Sequence, residues 1–477
     1  MTITHLVSGD HKRKRVSSFT SVSAIMEALQ LSLPHPWGSN KTCLQLGKTI
    51  RPLRLQPSCA LSKQGQRFFT SLATSVTGDP LVTDRLIRKF IASSSKSVAL
   101  NALSHLLTPS SSHPHLSSLA FPFYSLLTRA PWFSWNPKLV ADVIALLYKQ
   151  ERFREADALI SETVSKLDIR ERELCTFYCC LIEFHAKHKS KKGVFDTYTS
   201  LKQILFCSSS VYLKRRAYES MICSLCVIDL PREAENMLEE MKVQGITSKP
   251  SLFELRSIVY AYGRVGLFKD MKRLLFEMES EGIKMDTVCF NMVLSSLGAH
   301  GELLEMVSWL QRMKYLNIPL SIRTYNTVLN SCPSIMSMLQ DPKSIPLSLT
   351  ELLADLCENE SMLVKELIVS SVLVEAMAWS SLELKLDLHG MHLSSAYLII
   401  LQWFDELRTR FELVETDIPA EVRIICGSGK HSTVRGDSPV KHLVKELMVR
   451  TESPLRIDRK NIGCFIAKGK VCKSWLC

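Results

Sequence analysis

At 477 residues and 46% apolar composition, the chain is too long for one ordinary core, and these values predict an ordered protein of at least two domains. No run of about 18 uncharged apolar residues occurs, which excludes a membrane-spanning helix. The net charge is +12, but residues 1–78 hold ten Lys or Arg against two acidic residues, so most of the excess lies there.

Residues 1–78 are rich in Ser, Thr and Leu, poor in acids and broken by prolines, so they cannot bury a core of their own. They predict a disordered organelle transit peptide. The lack of an Arg-rich amphipathic helix favours the chloroplast over the mitochondrion. Two alternatives stay open: the basic run at residues 11–15 is a nuclear import signal, or translation starts at Met26 rather than Met1.

Residues 79–136 hold amphipathic stretches interrupted by three serines at 93–95, which predict short helices. A stacked array of helices needs an end that hides its last apolar face. We therefore expect this segment to form a helical cap at the N-terminal end of the repeats that follow.

An apolar ladder recurs through residues 137–333. The copy that begins at Met271 has apolar residues at i, i+3, i+4 and i+7, the spacing of one helix face. Further copies begin at Met306, Ala234, Val194 and Ala156, and each follows a shorter helical stretch. Helical hairpins that recur every 35–40 residues cannot bury their apolar faces alone, whereas stacked neighbours can. The pattern predicts an α-solenoid.

These repeats resemble the pentatricopeptide repeat family. Residues 252–286 and 287–321 each fill its 35-residue frame, and residues 322–327 open a truncated copy. Residues 215–251 form a copy with two extra residues, and divergent copies occupy 137–171 and 175–209. The tetratricopeptide repeat has a similar length, but the Gly-Ile-Lys tail at residues 282–284 and the Tyr-Asn openings favour the first family.

The resemblance implies single-stranded RNA on the concave face, with one nucleotide per repeat. In this family the fifth and the last residue of a repeat read the base, and the second residue sandwiches it. Here the fifth and last residues pair as Asn291 with Ser321, Arg256 with Asp286, and Glu219 with Ser251, and Asn326 is the fifth residue of the truncated copy. The second residues are Val288, Phe253 and Arg216.

Asn291 with Ser321 resembles a pyrimidine-reading pair, whereas the other two pairs lie outside the familiar combinations. A simpler interpretation is that Asn291 and Asn326 only cap helices, as Asn often does. A base-reading position needs a polar group with both a donor and an acceptor, which an Asn amide supplies.

Fifteen cysteines fall within helical patterns of a long chain, which predicts reduced thiols rather than disulfides. Cys223 and Cys226 have the spacing of half a zinc site, and three cysteines lie one hairpin earlier. A zinc site needs four converging ligands. We therefore expect packed thiols and no bound metal there.

After the repeats, Pro342 and Pro346 introduce a segment, residues 334–381, that predicts a partly helical linker. From residue 382 the pattern becomes β-α-β-α-β-β, which predicts a small α/β sandwich over 382–477. Asp387 and His389 lie two apart on a predicted strand and therefore on one face of it.

The loop that follows the second of these strands has the composition of a phosphate-binding loop. Gly427 and Gly429 allow a phosphate to approach the backbone closely, and Lys430 and His431 supply charge or a proton. Ser438 is a candidate cap for the next helix.

This C-terminal segment resembles the Smr (small MutS-related) domain. The matching motifs are LDLHGM at 386–391, GSGKHS at 427–432, NIGCF at 461–465 and the Trp-Leu pair at 475–476, while Cys426 replaces a family threonine. We expect contact with the phosphate backbone of RNA at this domain, and RNA cleavage requires proton transfer and neutralisation of the phosphorane charge.

The candidate catalytic residues are Asp387, His389, Lys430 and His431, with Gly427 and Gly429 as the phosphate loop. His389 or His431 would transfer protons, Asp387 would orient His389 or hold Mg²⁺, and Lys430 would neutralise phosphate. The alternative is that Asp387 pins a loop amide and the glycines only make a turn. Mg²⁺ is the one candidate cofactor, and none is required by the sequence.

Three functions are compatible with this sequence. In the first, the solenoid selects an organellar transcript and the C-terminal domain binds it, with endoribonuclease activity left open. The second is a non-catalytic RNA binder that assists intron splicing or stabilises transcripts. The third is a protein-interaction scaffold, which the basic C terminus argues against. The expected partner is single-stranded organellar RNA, and no small-molecule substrate is expected.

Overall fold

The computed structural model describes residues 61–75, 80–108, 114–167, 170–247, 250–413, 418–427 and 438–476. The chain divides into two compact units, of which the first ends at Trp135 and the second begins at Asn136. Within the described ranges, no helix has both the length and the apolar character that crossing a membrane requires.

The first unit is helical. Its helices are α1 (Lys63–Ser75), α2 (Pro80–Ser93), α3 (Lys96–Leu107), a 3-10 helix (Pro114–Leu119) and α4 (Ala120–Leu127). The ring of Phe68 stacks on that of Phe90 with a centroid distance of 3.9 Å and lies 5.9 Å from that of Phe123. The three rings are buried and hold α1, α2 and α4 together.

Helix α1 corrects the prediction that disorder extends to residue 78. Phe68, Phe69 and Leu72 lie on one face of α1 and are buried, so these residues contribute to a core. The rest of the predicted transit peptide, residues 1–60, lies outside the described part of the chain. Residues 79–136 hold the expected short helices, and their capping role stays a prediction.

The second unit begins with five complete helical hairpins. Their first helices, with that of the truncated copy, are α5 (Pro137–Lys149), α7 (Glu171–Lys187), α9 (Val211–Val227), α11 (Leu252–Arg264), α13 (Thr287–Ala299) and α15 (Ile322–Leu329). Their second helices are α6 (Phe153–Leu167), α8 (Lys191–Cys207), α10 (Pro231–Val243), α12 (Phe268–Ser280) and α14 (Leu303–Tyr315). Each first helix packs against the next, forming what we call the first-helix row. The predicted solenoid of hairpins is confirmed.

Small residues set the spacing of the first-helix row. A Cβ atom on Gly263 would lie 2.4 Å from Ser296 Oγ, and one on Gly298 would lie 2.0 Å from Ser331 Oγ. Gly263 and Gly298 are equivalent residues of successive repeats. The first helices approach closely at these two crossings because a glycine faces a serine at each of them.

A buried histidine makes the hairpins sensitive to acid. His185 of α7 has no solvent exposure, its ring lies 4.7 Å from that of Tyr148, and neither ring nitrogen has a hydrogen-bond partner among the described residues. Burial, helped by the nearby His188, lowers the pKa of His185 to about 3. The folded chain thus keeps His185 neutral at pH values where the unfolded chain protonates it.

We expect the stabilising contribution of neutral His185 to be complete above about pH 6.5 and to fall by about 2 kcal/mol at pH 5. Urea unfolding at pH 7 and pH 5 measures this change. In His185→Leu the loss of stability between pH 7 and pH 5 should be smaller by about 2 kcal/mol. His442→Leu, at an exposed position, should show the same loss of stability as the wild type. Equal pH dependence in the wild type and His185→Leu would contradict the assignment.

The segment after the repeats is more structured than the predicted linker. It holds α16 (Pro333–Met338), α17 (Leu349–Asp355), α18 (Glu358–Ile368), α19 (Val372–Ala376) and β1 (Met377–Trp379). Helix α18 packs beside α14, and Glu366 accepts a hydrogen bond from Gln311 at 3.0 Å and pairs with Lys314. Strand β1 joins the following sheet, so the α/β domain begins before residue 382.

The α/β domain contains β2 (Glu383–Asp387), α20 (Leu393–Leu413), β3 (Glu421–Ile425), α21 (Pro439–Arg450), β4 (Arg456–Ile457), β5 (Cys464–Lys468) and α22 (Gly469–Leu476). The strand order is β1-β2-β3-β5-β4, with only β2 and β3 parallel in this sheet. The predicted β-α-β-α-β-β order is present, with β1 and α22 added. Leu384, Leu386, Val422 and Ile424 alternate with half-exposed residues and are buried.

Helix α20 packs against α15, so the α/β domain extends the first-helix row. Tyr325 of α15 is fully buried and its hydroxyl donates to the Leu367 carbonyl at 2.6 Å. Gln402 of α20 donates to the Ile368 carbonyl at 3.1 Å. Arg450 of α21 donates to the Ile345 carbonyl at 2.7 Å. The repeats and the α/β domain therefore share one continuous packed interior.

Candidate nucleic-acid interface

Asn291 and Ser321 contact each other across two first helices. Asn291 Nδ2 donates to Ser321 Oγ at 3.5 Å, and Asn291 is only 6% exposed. Its Oδ1 atom is buried and has no hydrogen-bond partner in the described part of the chain. Ser321 caps α15 by accepting from Thr324 N at 3.2 Å. The capping residue is therefore Ser321, and Asn291, inside α13, is not a cap.

Arg256 and Asp286 form an ion pair. Arg256 Nη2 lies 2.6 Å from Asp286 Oδ2, and Asp286 caps α13 by accepting from Cys289 N at 3.0 Å. Burial alone would raise the pKa of Asp286, but the hydrogen bond from Cys289 and the charge of Arg256 lower it overall. The predicted pair is thus brought together, and a base that reached either side chain would have to compete with its partner.

Glu219 and Ser251 serve separate local contacts. Glu219 Oε1 accepts from Arg215 Nε at 2.8 Å, one turn earlier on α9. Ser251 caps α11 in a capping box, in which its backbone N donates to Glu254 Oε2 at 2.7 Å. Of the three predicted pairs, the structure joins Asn291 with Ser321 and Arg256 with Asp286 by direct contact.

The second-position residues differ in how far they are accessible. Val288 is 37% exposed, whereas Phe253 and Arg216 are half-buried. Arg216 Nη2 lies 3.4 Å from Glu183 Oε1 of the preceding hairpin. Val288 therefore offers the most accessible apolar surface of the three beside a predicted pair.

Asn326 does not take the role predicted for it. Its Nδ2 donates to the Gly390 carbonyl at 3.0 Å, and its Oδ1 accepts from His392 N at 2.8 Å. Both ends of the amide are thus hydrogen-bonded to the loop after β2, and the residue is only 9% exposed. The Asn326 side chain holds the α/β domain on the last repeat instead of reading a base. It does not cap a helix, because it lies inside α15.

Asp387 ends β2 and His389 follows it in an exposed loop. Asp387 Oδ1 accepts from His389 N at 3.0 Å, and Lys385 Nζ lies 3.7 Å from Asp387 Oδ2. The carboxylate thus pins the loop backbone, as the simpler interpretation proposed. The Asp387 side chain is 39% exposed and His389 is also exposed, so both are accessible to a ligand.

The three motifs of the α/β domain meet at one end of the sheet. Because β2 and β3 are parallel neighbours, their carboxyl ends lie side by side, and a Cβ atom on Gly427 would lie 3.7 Å from His389 Nδ1. Gly427 has φ +79°, a conformation that favours glycine. Cys426 N donates to the Gly463 carbonyl at 2.9 Å. We call Asp387, His389, Gly427 and Gly463 the strand-end site.

Gly429, Lys430 and His431 lie outside the described residues, so their predicted roles stay predictions. Across the described ranges, no group of three or more His, Cys, Asp or Glu side chains is placed to hold a metal ion. Asp387 is the carboxylate of the strand-end site within those ranges. Mg²⁺ binding at this site therefore has one described ligand, which does not make a coordination set.

Cys226 of the predicted half zinc site and Cys175 of the preceding hairpin are buried thiols. Cys175 Sγ donates to the Leu213 carbonyl at 3.9 Å, which joins α7 to α9. Burial raises the pKa of Cys226 to about 12. A thiol with such a pKa stays protonated at neutral pH.

Sequence reasoning missed Asn330 and His392. Asn330 Nδ2 lies 2.6 Å from His392 Nδ1, and Ser394 Oγ donates to Asn330 Oδ1 at 2.8 Å. Asn330 stands four residues after Asn326 on the same face of the helix, and His392 immediately precedes the apolar pattern of α20. The spacing of the two asparagines is a signal for a shared contact, but it does not identify the partner.

Comparisons with known proteins agree with the repeats. The family model described as PPR repeat matches residues 216–246, 256–283 and 288–318. Pentatricopeptide repeat-containing protein At2g17033 of Arabidopsis thaliana is 57% identical over 418 residues, which are 87% of this chain and 82% of that protein. Pentatricopeptide repeat-containing protein At5g48730, chloroplastic, of Arabidopsis thaliana is 24% identical over 185 residues, 39% of this chain and 35% of the relative.

Among solved structures, the crystal structure of PPR10, a maize protein, in complex with an 18-nt psaJ RNA element aligns with 15% identity and a TM-score of 0.34. The alignment covers 82% of this chain and 52% of that one. The chain thus spans about half the length of that protein.

Proposed function

The chain belongs to the pentatricopeptide repeat family, and from this premise we propose that it is an organellar RNA-processing protein that binds single-stranded RNA along its first-helix row and cleaves it at the strand-end site. The observation that carries the proposal is the side chain of Asn291. Leaving this amide oxygen buried without a partner costs about 1–3 kcal/mol, so the Asn291 side chain gains by turning towards a ligand that supplies a donor.

A nucleotide base is such a ligand. The edge of an unpaired base presents donors and acceptors side by side, and the Asn291 amide and Ser321 hydroxyl present the complementary groups. Val288, one turn earlier on α13, offers an apolar surface for the base. Single-stranded RNA is preferred over a duplex because base edges in an A-form helix are already paired or lie in a groove too narrow for side chains.

The strand-end site supports a cleavage chemistry based on proton transfer. His389 in its neutral form takes the proton of a ribose 2′-hydroxyl, whose oxygen attacks the adjacent phosphorus. The bond from phosphorus to the 5′-oxygen breaks, which leaves a 2′,3′-cyclic phosphate and a 5′-hydroxyl. We assign protonation of the leaving oxygen to His431 and neutralisation of the phosphate to Lys430, following the resemblance to the Smr domain.

A second candidate is a non-catalytic RNA binder that assists intron splicing or stabilises transcripts. The contact between Asp387 Oδ1 and His389 N favours it, because a carboxylate that holds a loop in this way need take no part in proton transfer. In this case the strand-end site adds affinity for the RNA backbone, and no product forms.

The proposed location is the chloroplast, with the mitochondrion as the alternative. The composition of residues 1–60, which are rich in hydroxyl side chains and poor in acids, supports import into an organelle. One relative with 24% identity is named as chloroplastic. Import of the full chain, fused to a fluorescent protein, into one organelle and not the other decides between them.

Loss of the Asn291 amide is expected to weaken RNA binding. The full chain is used to select an RNA from a randomised single-stranded pool, and the affinity of that RNA is compared between variants. We expect Asn291→Ala to lower the affinity about tenfold, the effect of losing one or two hydrogen bonds in a desolvated site. Asn236→Ala removes an exposed amide from α10 and should change the affinity less than about twofold. Equal effects of the two substitutions would remove Asn291 from the binding surface.

A further inference from the structure

The α/β domain supplies the next helix of the first-helix row. Helix α20 packs on α15, as α15 packs on α13. His392 immediately precedes α20, as Ser321 immediately precedes α15. His392 therefore occupies the same position relative to Asn326 that Ser321 occupies relative to Asn291. In both cases the two residues are hydrogen-bonded to each other. The last repeat is thus completed by a residue of the α/β domain.

The ring of His392 is held in one orientation and one tautomer. Ser394 Oγ donates to Asn330 Oδ1 at 2.8 Å, which leaves the Asn330 amide nitrogen directed towards His392 Nδ1 at 2.6 Å. Nδ1 therefore accepts a hydrogen bond, and the proton of the neutral ring is on Nε2. Partial burial lowers the pKa of His392, which keeps the ring neutral at physiological pH.

The remaining ring atom is available to a ligand. His392 is exposed, and the described residues provide no hydrogen-bond partner for its Nε2 atom. An N–H donor on a neutral ring suits an uncharged acceptor such as a base carbonyl, whereas a phosphate oxygen would favour a protonated ring. The asparagine pair that fixes the loop thus also fixes where this donor points.

We propose that His392 forms an additional nucleotide-binding position at the junction of the repeats and the α/β domain, where Nε2–H donates to a base carbonyl of the bound RNA strand. The proposal rests on the proposed function, because it requires RNA on the first-helix row. It adds one nucleotide that no repeat alone can bind. Asn326 and Asn330 are positioning residues for it.

This junction position explains how binding by the repeats leads to the strand-end site. His392 is three residues from His389, and Asn326 bonds the carbonyl of Gly390 between them. A nucleotide whose base contacts His392 has its sugar and phosphate beside the loop that carries His389. The position therefore sets a fixed spacing between the nucleotide at Asn291 and the phosphodiester at the strand-end site.

The test uses the full chain, the RNA selected from a randomised pool, and a set of the same RNA in which one nucleotide at a time is abasic. The RNA carries 2′-O-methyl groups, so that its 2′-oxygens cannot attack. We expect His392→Ala to lower the affinity of the full RNA about tenfold, or about 1.4 kcal/mol, and to leave the affinity of one abasic RNA unchanged, the one that lacks the base at the junction position. His392→Gln retains an N–H donor and should recover part of the affinity. His442→Ala, at an exposed position of α21, is the matched control.

An abasic nucleotide keeps its phosphate, so this set separates contacts to a base from contacts to the phosphate backbone. We expect the wild type to bind the RNA that is abasic at the junction position about as weakly as His392→Ala binds the full RNA. Equal loss of affinity for the full RNA and for every abasic RNA in His392→Ala, or no loss for any of them, would overturn the junction position while leaving RNA binding by the repeats intact. Failure of the wild type to bind any RNA from the pool would instead overturn the proposed function, and the junction position with it. Circular dichroism of His392→Ala confirms that the variant is folded.

Discussion

His389→Ala is expected to lower the rate of RNA cleavage by at least about a hundredfold, because it removes the proposed general base. RNA affinity should change less than about threefold, since most of the binding surface lies on the first-helix row. Single-turnover cleavage of the selected RNA, followed on a sequencing gel, measures the rate, and a gel-shift assay measures the affinity. His442→Ala is the matched control and should retain the wild-type rate.

The same assay distinguishes the two interpretations of Asp387, as a residue that takes part in cleavage or as one that only holds the loop. Asp387→Asn keeps an oxygen that accepts from His389 N but removes the negative charge. Near-normal cleavage in Asp387→Asn, with a large loss in Asp387→Ala, would show that the side chain only holds the loop. A wild-type protein that binds the RNA tightly and yields no product would contradict the cleavage mechanism and favour the non-catalytic binder.

Gly469→Ala is expected to destabilise the second unit by at least about 3 kcal/mol, the largest stability effect that we predict for one added methyl group. A Cβ atom at this residue would lie 1.7 Å from the Pro419 carbonyl oxygen, so the backbone of β5 or of the loop before β3 has to move. The hydrogen bond from Gly469 N to the Ala420 carbonyl, now 3.1 Å long, would be disturbed with it.

Urea unfolding of Gly469→Ala, followed by circular dichroism, measures this loss. Lys470→Ala changes the exposed neighbouring residue and should alter stability by less than about 0.5 kcal/mol. A Gly469→Ala variant as stable as Lys470→Ala would mean that β5 and the loop at Pro419 are not packed as closely as the structure has them.

The repeats could be predicted because their signal is local and repeated. The ladder that begins at Met271 reports one buried helix face, and Met271 and Met278 are indeed buried. The close contact of Gly263 with Ser296 lies in the same segment, yet nothing in the apolar pattern distinguishes a glycine at a helix crossing from one at a helix end. Spacing along one helix thus predicts the hairpin but not the distance between hairpins.

The boundaries were less predictable because they depend on distant partners. From the sequence, the segment of β1 is predicted as the end of a helical linker. In the structure it is a strand because it pairs with Leu384 and Leu386 of β2. By composition alone, the segment of helix α1 resembles part of a transit peptide. The structure shows a packed helix in which the ring of Phe68 stacks on that of Phe90. In both cases the local composition is compatible with an irregular chain, and tertiary contacts decide the outcome.

In the candidate site, too, features that depend on local sequence order could be predicted, whereas contacts with distant residues could not. Parallel pairing of β2 with β3 is the usual result when a helix connects two neighbouring strands, and it brings His389 close to Gly427. Asn326 was assigned by its position in the repeat frame, which cannot show that the next helix belongs to another domain. Its partners, Gly390 and His392, are more than 60 residues away in the sequence.

Crosslinking from two positions to one RNA strand tests most directly whether the first-helix row and the strand-end site hold the same molecule. A photoreactive amino acid replaces Val288 beside Asn291 in one variant and exposed Ile462 beside Gly463 in another, and the crosslinked nucleotides of the selected RNA are mapped. We predict that both positions mark the same strand, each at a single nucleotide, with a constant spacing of a few nucleotides. Crosslinks from Val288 without any from Ile462, or a spacing that varies between molecules, would contradict this account.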